Sequence, residues 1–146
     1  MPVTDKSAGF TEVERAAMRA RADELRSSGR GGAKKAEEAR ACLDAIAAMP
    51  DEDRTLAERV HTLVSEAAPH LRPKTWYGMP AYTNAEGKVV LAVKNAGKFG
   101  QRYSTLEFQD PARLDDGDIW PVGFAMITWT PEVEEKVAAL VRAAVS

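Results

Sequence analysis

The stretch Lys74–Tyr82, with the sequence KTWYGMPAY, decides the fold, because it follows the most regular helical pattern of the chain and opens its strand region. Its first four residues form the pattern of a short aromatic strand, so Trp76 and Tyr77 are predicted to face opposite sides of a sheet. Gly78 permits a sharp turn, and Pro80 holds the residue before it extended. We therefore predict a stiff aromatic corner that forms a wall of the core, a wall of a pocket, or both.

Helical patterns lie on both sides of this stretch. Asp51 is the predicted N-cap of the helix before it, and Pro69 ends that helix. Thr130 and Pro131 are a typical N-cap and first residue of a helix that closes the chain. Both helices have one apolar stripe with the spacing i, i+4, i+7, i+8, i+11. The stripes are Leu56, Val60, Leu63, Val64 and Ala67, and Val133, Val137, Leu140, Val141 and Ala144.

Strand patterns fill the region between these helices. Further strands are predicted at Lys88–Lys94, Phe99–Phe108 and Gly123–Trp129, with a hairpin turn at Asn84–Gly87. Strands joined by short turns are antiparallel. The predicted fold is therefore a two-layer α+β domain, in which an antiparallel sheet of four to five strands carries both amphipathic helices on one face.

Two further helices are predicted at the N-terminus, at about residues 11–27 and 33–48. Thr11 and Glu14 fit a capping box at the start of the first. Both helices are rich in alanine and have narrow apolar stripes. We divide the chain near Pro50 into an N-terminal helical extension, 1–50, and a core domain, 51–146. The extension, a partner or water must cover the second face of the sheet.

Composition places the chain among ordinary globular proteins. It has 146 residues, of which 45% are hydrophobic and 29% are charged, and its net charge is -2. Its one cysteine excludes an intramolecular disulfide and suits a reducing compartment. No apolar run resembles a secretory signal or a membrane span. These features predict a cytoplasmic protein without a membrane partner.

Charge is unevenly distributed along the chain. Residues 70–104 contain six basic residues and one carboxylate, whereas residues 105–135 contain eight carboxylates and one arginine. This distribution predicts one basic and one acidic side, although solvated strand and loop edges would give the same pattern.

The candidate ligand-binding site combines the aromatic corner with nearby basic residues, which favour an anionic ligand. Its residues are Lys74, Trp76, Tyr77, Met79, Tyr82, Lys98, Arg102 and Tyr103. Large aromatic side chains on an exposed sheet face often mark a binding site or a contact surface. The alternative is that the rings complete a core closed by the N-terminal helices.

Other kinds of site have weaker patterns. Asp115, Asp116 and Asp118 resemble a fragment of a calcium loop without its full spacing, so they are candidates only for weak binding of a hard cation. Cys42 has no basic neighbour in the sequence to activate it and is interpreted as a buried, inert thiol. Gly97–Gly100 is too short for a phosphate-binding loop.

Basic and aromatic side chains are interleaved in one set of residues, which consists of Lys94, Phe99, Arg102, Tyr103 and Trp76. Stacking platforms for single strands have this character. The patch is small and the chain is acidic overall, which argues against nucleic acid as a partner.

The sequence TWYGMPAY, after a helix ending in EAAP and before a hairpin, resembles the YdhG-like family of unknown function. This family is grouped with YjbR/CyaY-like and frataxin-like proteins. Its members have a Tyr-Gly-Met-Pro-aromatic corner, here Tyr77–Tyr82, between a helix and antiparallel strands. The resemblance covers about residues 51–146.

This resemblance implies an α+β fold and, for some members, a role as a frataxin-like iron chaperone that holds iron weakly on surface carboxylates. The expected function is thus a non-catalytic binding protein, with iron as one candidate ligand. The alternative is a module that binds a small anionic ligand or a protein through the aromatic corner. An enzyme is the less favoured interpretation.

Overall fold

The computed structural model describes residues 11–27 and 32–146, and within them it contains five helices and five strands. The helices are α1 (Glu12–Ser27), α2 (Gly32–Ala47), α3 (Asp51–Ala67), α4 (Ala96–Phe99) and α5 (Pro131–Val145). The strands are β1 (Arg72–Trp76), β2 (Met79–Thr83), β3 (Val89–Lys94), β4 (Ser104–Phe108) and β5 (Gly123–Met126). All strand pairs are antiparallel, and the sheet order β1-β2-β3-β4-β5 follows the chain. The predicted α+β fold is confirmed.

The stretch KTWYGMPAY forms a β-hairpin rather than one strand followed by a corner. Trp76 pairs with Met79, so only Tyr77 and Gly78 connect β1 to β2. Both have positive φ, 53° and 77°, as a two-residue type I′ turn requires. Because Tyr77 lies in the turn, its ring packs edge-to-face on Trp76 with centroids 5.2 Å apart. The prediction that these two rings face opposite sides of the sheet is therefore wrong.

The main core lies between one face of the sheet and helices α3 and α5, which contact each other. In the strand register Leu91 is paired with Phe108, and Val93 with Leu106, so these side chains share a face. All four belong to one buried cluster with the apolar stripes of α3 and α5. Each fully buried aliphatic side chain of this kind stabilises the fold by about 1.5–3 kcal/mol.

Helix α2 belongs to this core, whereas α1 lies at its margin. Cys42 and Ile46 of α2 are buried in the same cluster, and α2 packs against β1 and β2. In α1, Ala17 is the one buried residue among those whose burial is described, 12–25. The division of the chain near Pro50 remains a prediction about domains, but α2 shares the core of the second part.

The N-terminal ends of α1 and α5 are capped as the sequence predicts, whereas that of α3 is not. The backbone N–H of Thr11 donates to Glu14 Oε1 at 2.8 Å, and the N–H of Glu14 donates to Thr11 Oγ1 at 3.0 Å, which confirms the capping box. Thr130 caps α5 as predicted, by accepting from a backbone N–H at 3.1 Å. Asp51 is the exception, since Pro50 occupies the N-cap position of α3 and no side chain caps it.

Two predicted strands are shorter in the structure. Ala96–Phe99 forms a single helical turn, which Gly100 ends with a left-handed φ of 65°. The strand after it therefore begins at Ser104 rather than Phe99. The last strand ends at Met126 instead of Trp129. Placing Phe99 on α4, outside the sheet, creates one wall of the site described next.

Candidate functional site

A cleft of about 290 Å³ lies between α1 and the tip of the β1–β2 hairpin. Trp76 and Met79 are paired across the two strands, so their side chains share the face of the sheet that lines the cleft. Met18 of α1 and Phe99 of α4 add apolar walls on either side. The cleft is thus built from three separate parts of the chain around the hairpin tip.

Charged side chains also line this aromatic cleft or, in the case of Lys98, lie beside it. The ammonium group of Lys94 lies 5.0 Å from the centroid of the Phe99 ring, and that of Lys98 lies 5.5 Å from it. Both distances are within the range of cation–π attraction. The carboxylates of Glu14 and Glu107 complete the lining. The cleft therefore presents apolar rings together with both signs of charge.

The hairpin tip holds a carboxylate from α1. The backbone N–H groups of Tyr77 and Gly78 donate to Oε1 and Oε2 of Glu24 at 3.0 and 3.1 Å. The Glu24 side chain is only 10% exposed, and Arg21 lies 3.7 Å from its Oε1. The guanidinium of Arg21 also lies over the Tyr77 ring, 5.7 Å from its centroid. Two consecutive amide groups thus bind both oxygens of one nearly buried carboxylate.

Lys98 connects the tip to the cleft. Its Nζ donates to the carbonyl oxygen of Tyr77 at 3.5 Å, and a Cβ at Gly78 would collide with this Nζ. Burial lowers the pKa of Lys98, while the negative charge of Glu24 opposes the shift. The left-handed backbone at position 78 favours glycine, and a Cβ there would also make the flexible end of the Lys98 side chain shift.

The structure brings together only part of the predicted ligand-binding set. Trp76, Tyr77 and Met79 line the cleft, and Lys98 lies beside it. Arg102 instead packs its guanidinium over the Tyr103 ring, 5.2 Å from the centroid, and neither residue is among those that line the cleft. Lys74 and Tyr82 lie elsewhere.

Tyr82 is a core residue and not a pocket residue. It is 1% exposed, and its hydroxyl lies 2.9 Å from Nδ1 of His61 on α3. Burial raises the pKa of its phenol well above the ordinary value, and the neighbouring Cys42 adds to this shift. Placing Tyr82 in the ligand site is therefore a mistake of the sequence prediction, because its side chain points into the helix-covered core.

Lys74 lines a different and larger groove, of about 820 Å³, between the N-terminal helices and the far end of the hairpin. Its Nζ lies 3.4 Å from Glu38 of α2. Arg21, Lys35 and Arg72 also line this groove. Lys74 therefore contributes to a basic surface that is distinct from the aromatic cleft.

The predicted metal residues do not form a site. Asp115, Asp116 and Asp118 are all exposed in the loop between β4 and β5. Within residues 11–27 and 32–146, no three His, Cys, Asp or Glu side chains come together in a way that could hold a metal ion. The structure thus gives these carboxylates no common coordination geometry.

Cys42 has the character of a structural thiol. It is fully buried, and burial raises its pKa to about 11. A thiol with this pKa is overwhelmingly protonated near neutral pH, so it lacks the thiolate that nucleophilic chemistry requires.

Several residues of the site escaped the sequence prediction. Met18, Glu14 and Glu24 lie on α1, far along the chain from the hairpin, and no local pattern links them to it. Lys94 and Phe99 did stand out as a basic and aromatic pair, but as a possible stacking platform for nucleic acid. The two residues share the cleft because Phe99 lies on α4 and not in a strand.

The function of this chain has to be inferred from its fold and its candidate site. No family model matches the chain, and no curated protein or solved structure matches it either. In the part of the chain that the structure describes, none of the helices has both the length and the apolar character needed to cross a bilayer.

Proposed function

We propose that this chain is a YdhG-like binding protein that holds a small, planar, largely apolar molecule with a single anionic group in the cleft between α1 and the hairpin. The observation that carries this proposal is the position of Phe99, whose ring lines the cleft together with Trp76. The ammonium groups of Lys94, in the lining, and of Lys98, beside the cleft, lie within 5.5 Å of the centroid of that ring. Rings supply stacking area, and ammonium groups supply attraction for an anion.

The size and charge of the cleft narrow the ligand class. A volume of about 290 Å³ lies at the small end of ligand sites. The carboxylates of Glu14 and Glu107 would repel a polyanion but tolerate one negative charge next to the lysines. These features favour an aromatic carboxylate over nucleic acid. Iron carriage is not proposed, since no three His, Cys, Asp or Glu side chains of the described residues come together in a way that could hold a metal ion.

Thermal-shift measurements with matched probes test this function. Phenylacetate and indole-3-acetate should raise the melting temperature of the protein as their concentration increases, because a ligand at free concentration L that binds only the folded state stabilises it by RT ln(1 + L/Kd). Benzyl alcohol, which lacks the carboxylate, and phenethylamine, which has the opposite charge, should have less effect. Equal effects of all four probes would remove the proposal.

Two variants locate the binding. Trp76→Ala and Lys94→Met should each abolish most of the stabilisation by phenylacetate, since one removes the ring wall and the other an ammonium group. Trp120→Ala is the matched control, because Trp120 is partly exposed and lies outside the cleft lining. If Trp76→Ala keeps the full shift, the ligand binds elsewhere.

A further inference from the structure

The hairpin tip has the geometry of an anion-binding site. Tyr77 and Gly78 both have positive φ, 53° and 77°, and their two consecutive N–H groups donate to the same carboxylate. Runs of backbone N–H groups in left-handed or turn conformations form concave sites for anions. The Nζ of Lys98 lies against Gly78 and adds a positive charge. A neutral group at this position would form weaker hydrogen bonds with the two N–H groups and would not balance the charge of Lys98.

The carboxylate that fills the site comes from a weakly packed helix. Val13, Met18 and Leu25 of α1 are 36%, 46% and 60% exposed, and Ala17 is the one buried residue within its described range 12–25. By contrast, α2 buries Cys42 and Ile46, and α3 buries four apolar side chains. Elements with little buried apolar area open at low cost in free energy. Within its described range α1 therefore buries little apolar surface, and the two hydrogen bonds to Glu24 join it to the hairpin tip.

We propose that the hairpin tip is a carboxylate-binding subsite in which Glu24 of the same chain takes the place of a ligand carboxylate, so that α1 acts as a built-in competitor. A ligand carboxylate would accept the N–H groups of Tyr77 and Gly78, and Glu24 would leave. The end of α1 that carries Glu24 would move away from the hairpin tip, while Met18 stays in the wall of the cleft. The inference rests on the proposed function for the identity of the apolar part of that ligand.

Competition of this kind has a quantitative consequence. The apparent affinity of the ligand is reduced by the fraction of molecules in which Glu24 occupies the site. Removing the Glu24 carboxylate should therefore tighten the binding of a simple carboxylate. A tip that cannot accept a free carboxylate would give no such gain.

Chemical rescue provides the test. In Glu24→Ala the amide resonances of Tyr77 and Gly78 should move from their wild-type positions in a ¹H–¹⁵N spectrum. Sodium acetate should return them towards those positions, with an affinity about tenfold tighter than in wild-type protein if Glu24 leaves the site open in about one molecule in ten. Sodium chloride at the same ionic strength should not. Glu12→Ala is the matched control, because Glu12 is an exposed carboxylate in the first turn of the same helix.

Glu24→Gln is a second variant for the case that Glu24→Ala does not fold. It preserves the shape of the side chain and one acceptor oxygen but removes the charge, so acetate should again bind more tightly than in wild type. If acetate fails to move the two tip amides in both variants, or moves them equally in Glu12→Ala, the subsite does not exist. The subsite is supported if sodium acetate, and not sodium chloride, returns the two amide resonances towards their wild-type positions.

A second probe separates this inference from the proposed function. Phenylacetate titrated into Glu24→Ala should bind more tightly than acetate, and Trp76→Ala in that background should remove the difference. If acetate rescues the tip but phenylacetate binds no better, the subsite stands and the aromatic cleft is not its ligand pocket. If phenylacetate shifts cleft residues and leaves the tip amides unmoved, the cleft stands and the subsite is wrong.

Discussion

Nδ1 of His61 and the hydroxyl oxygen of Tyr82 lie 2.9 Å apart, and this contact joins α3 to the second strand of the hairpin. The tyrosine is almost completely buried, whereas the histidine is partly exposed. A buried phenol without a partner would cost about 1–3 kcal/mol. The pair therefore lets an aromatic side chain occupy the core, and it turns one ring of the hairpin away from the cleft.

Tyr82→Phe should lower the free energy of unfolding by about 1 kcal/mol, the usual net value of one hydrogen bond. The effect stays moderate because the partly exposed His61 can bind water in the variant. Urea denaturation followed by circular dichroism measures the change. Tyr103→Phe is the control, since Tyr103 is outside the buried cluster and packs against Arg102, and it should change stability by less than about 0.5 kcal/mol. Phenylacetate should raise the melting temperature of Tyr82→Phe as much as that of wild type. A smaller rise in the variant would mean that Tyr82 belongs to the ligand site.

Stability should decline at mildly acidic pH because of His61. Burial lowers its pKa below the ordinary 6.5, so the folded state binds the proton less readily than the unfolded state. Its favourable contribution is therefore complete above pH 6.5 and is lost as the pH falls through the lower pKa of the folded state. The measurement is the free energy of unfolding of wild type and His61→Gln between pH 7.5 and pH 5. The curve of the variant should be flatter in this range. A difference that grows towards higher pH would contradict the assignment.

Asp53 joins the start of α3 to the turn after β3. Its Oδ2 accepts from Asn95 Nδ2 at 3.0 Å and from the N–H of Gly97 at 2.8 Å, and the residue is 8% exposed. Asp53→Asn replaces an acceptor with a group that is partly a donor, and it removes a charge-assisted bond. We expect a loss of about 1–3 kcal/mol in the free energy of unfolding.

Asp51→Asn is the matched control for this change, two residues away on the same helix. Asp51 is exposed and pairs with Arg54 at 2.8 Å, and a surface pair of this kind contributes at most about 1 kcal/mol. Urea denaturation of both variants gives the comparison. Equal losses would mean that the buried contacts of Asp53 add nothing beyond its position in the first turn.

Local patterns were sufficient to predict most of the fold. The stripes of α3 and α5 depend only on the spacing of apolar residues, and the capping box of α1 needs only Thr11 and Glu14. The hairpin was harder, because its turn is Tyr-Gly rather than the usual Asn-Gly or Asp-Gly. A tyrosine with a positive φ is costly, and here the carboxylate of Glu24 holds its backbone from more than fifty residues away. No local pattern contains that contact.

The candidate site was likewise predictable where it depends on local sequence and not where it depends on contacts between distant parts of the chain. Trp76 and Met79 are next to the turn and could be identified from their residue types. The opposite wall comes from Met18, and the placement of Phe99 depends on a helical turn that resembles a strand in sequence. Tyr82 was placed in the site because alternation alone does not tell which face of a sheet the helices cover.

Gly78→Ala tests how closely the hairpin tip and Lys98 are fitted together. Alanine at a φ of 77° carries a backbone cost of about 1–2 kcal/mol, and its Cβ would also displace the Nζ of Lys98. Gly87→Ala is a matched control, since Gly87 has a φ of 79° and a Cβ there would meet nothing within 4 Å. The excess loss in Gly78→Ala over Gly87→Ala, measured by urea denaturation, reports the displaced ammonium group.

A double-mutant cycle with Lys98→Ala then isolates that contribution. In the Lys98→Ala background the collision is absent, so Gly78→Ala should cost the same as Gly87→Ala. Because Lys98 also provides positive charge to both the cleft and the tip, Gly78→Ala alone should weaken the thermal stabilisation by phenylacetate, whereas Gly87→Ala should not. Equal costs for the two glycine changes in the wild-type background would show that the ammonium group moves aside freely, and a positioned charge at the hairpin tip would then have no support.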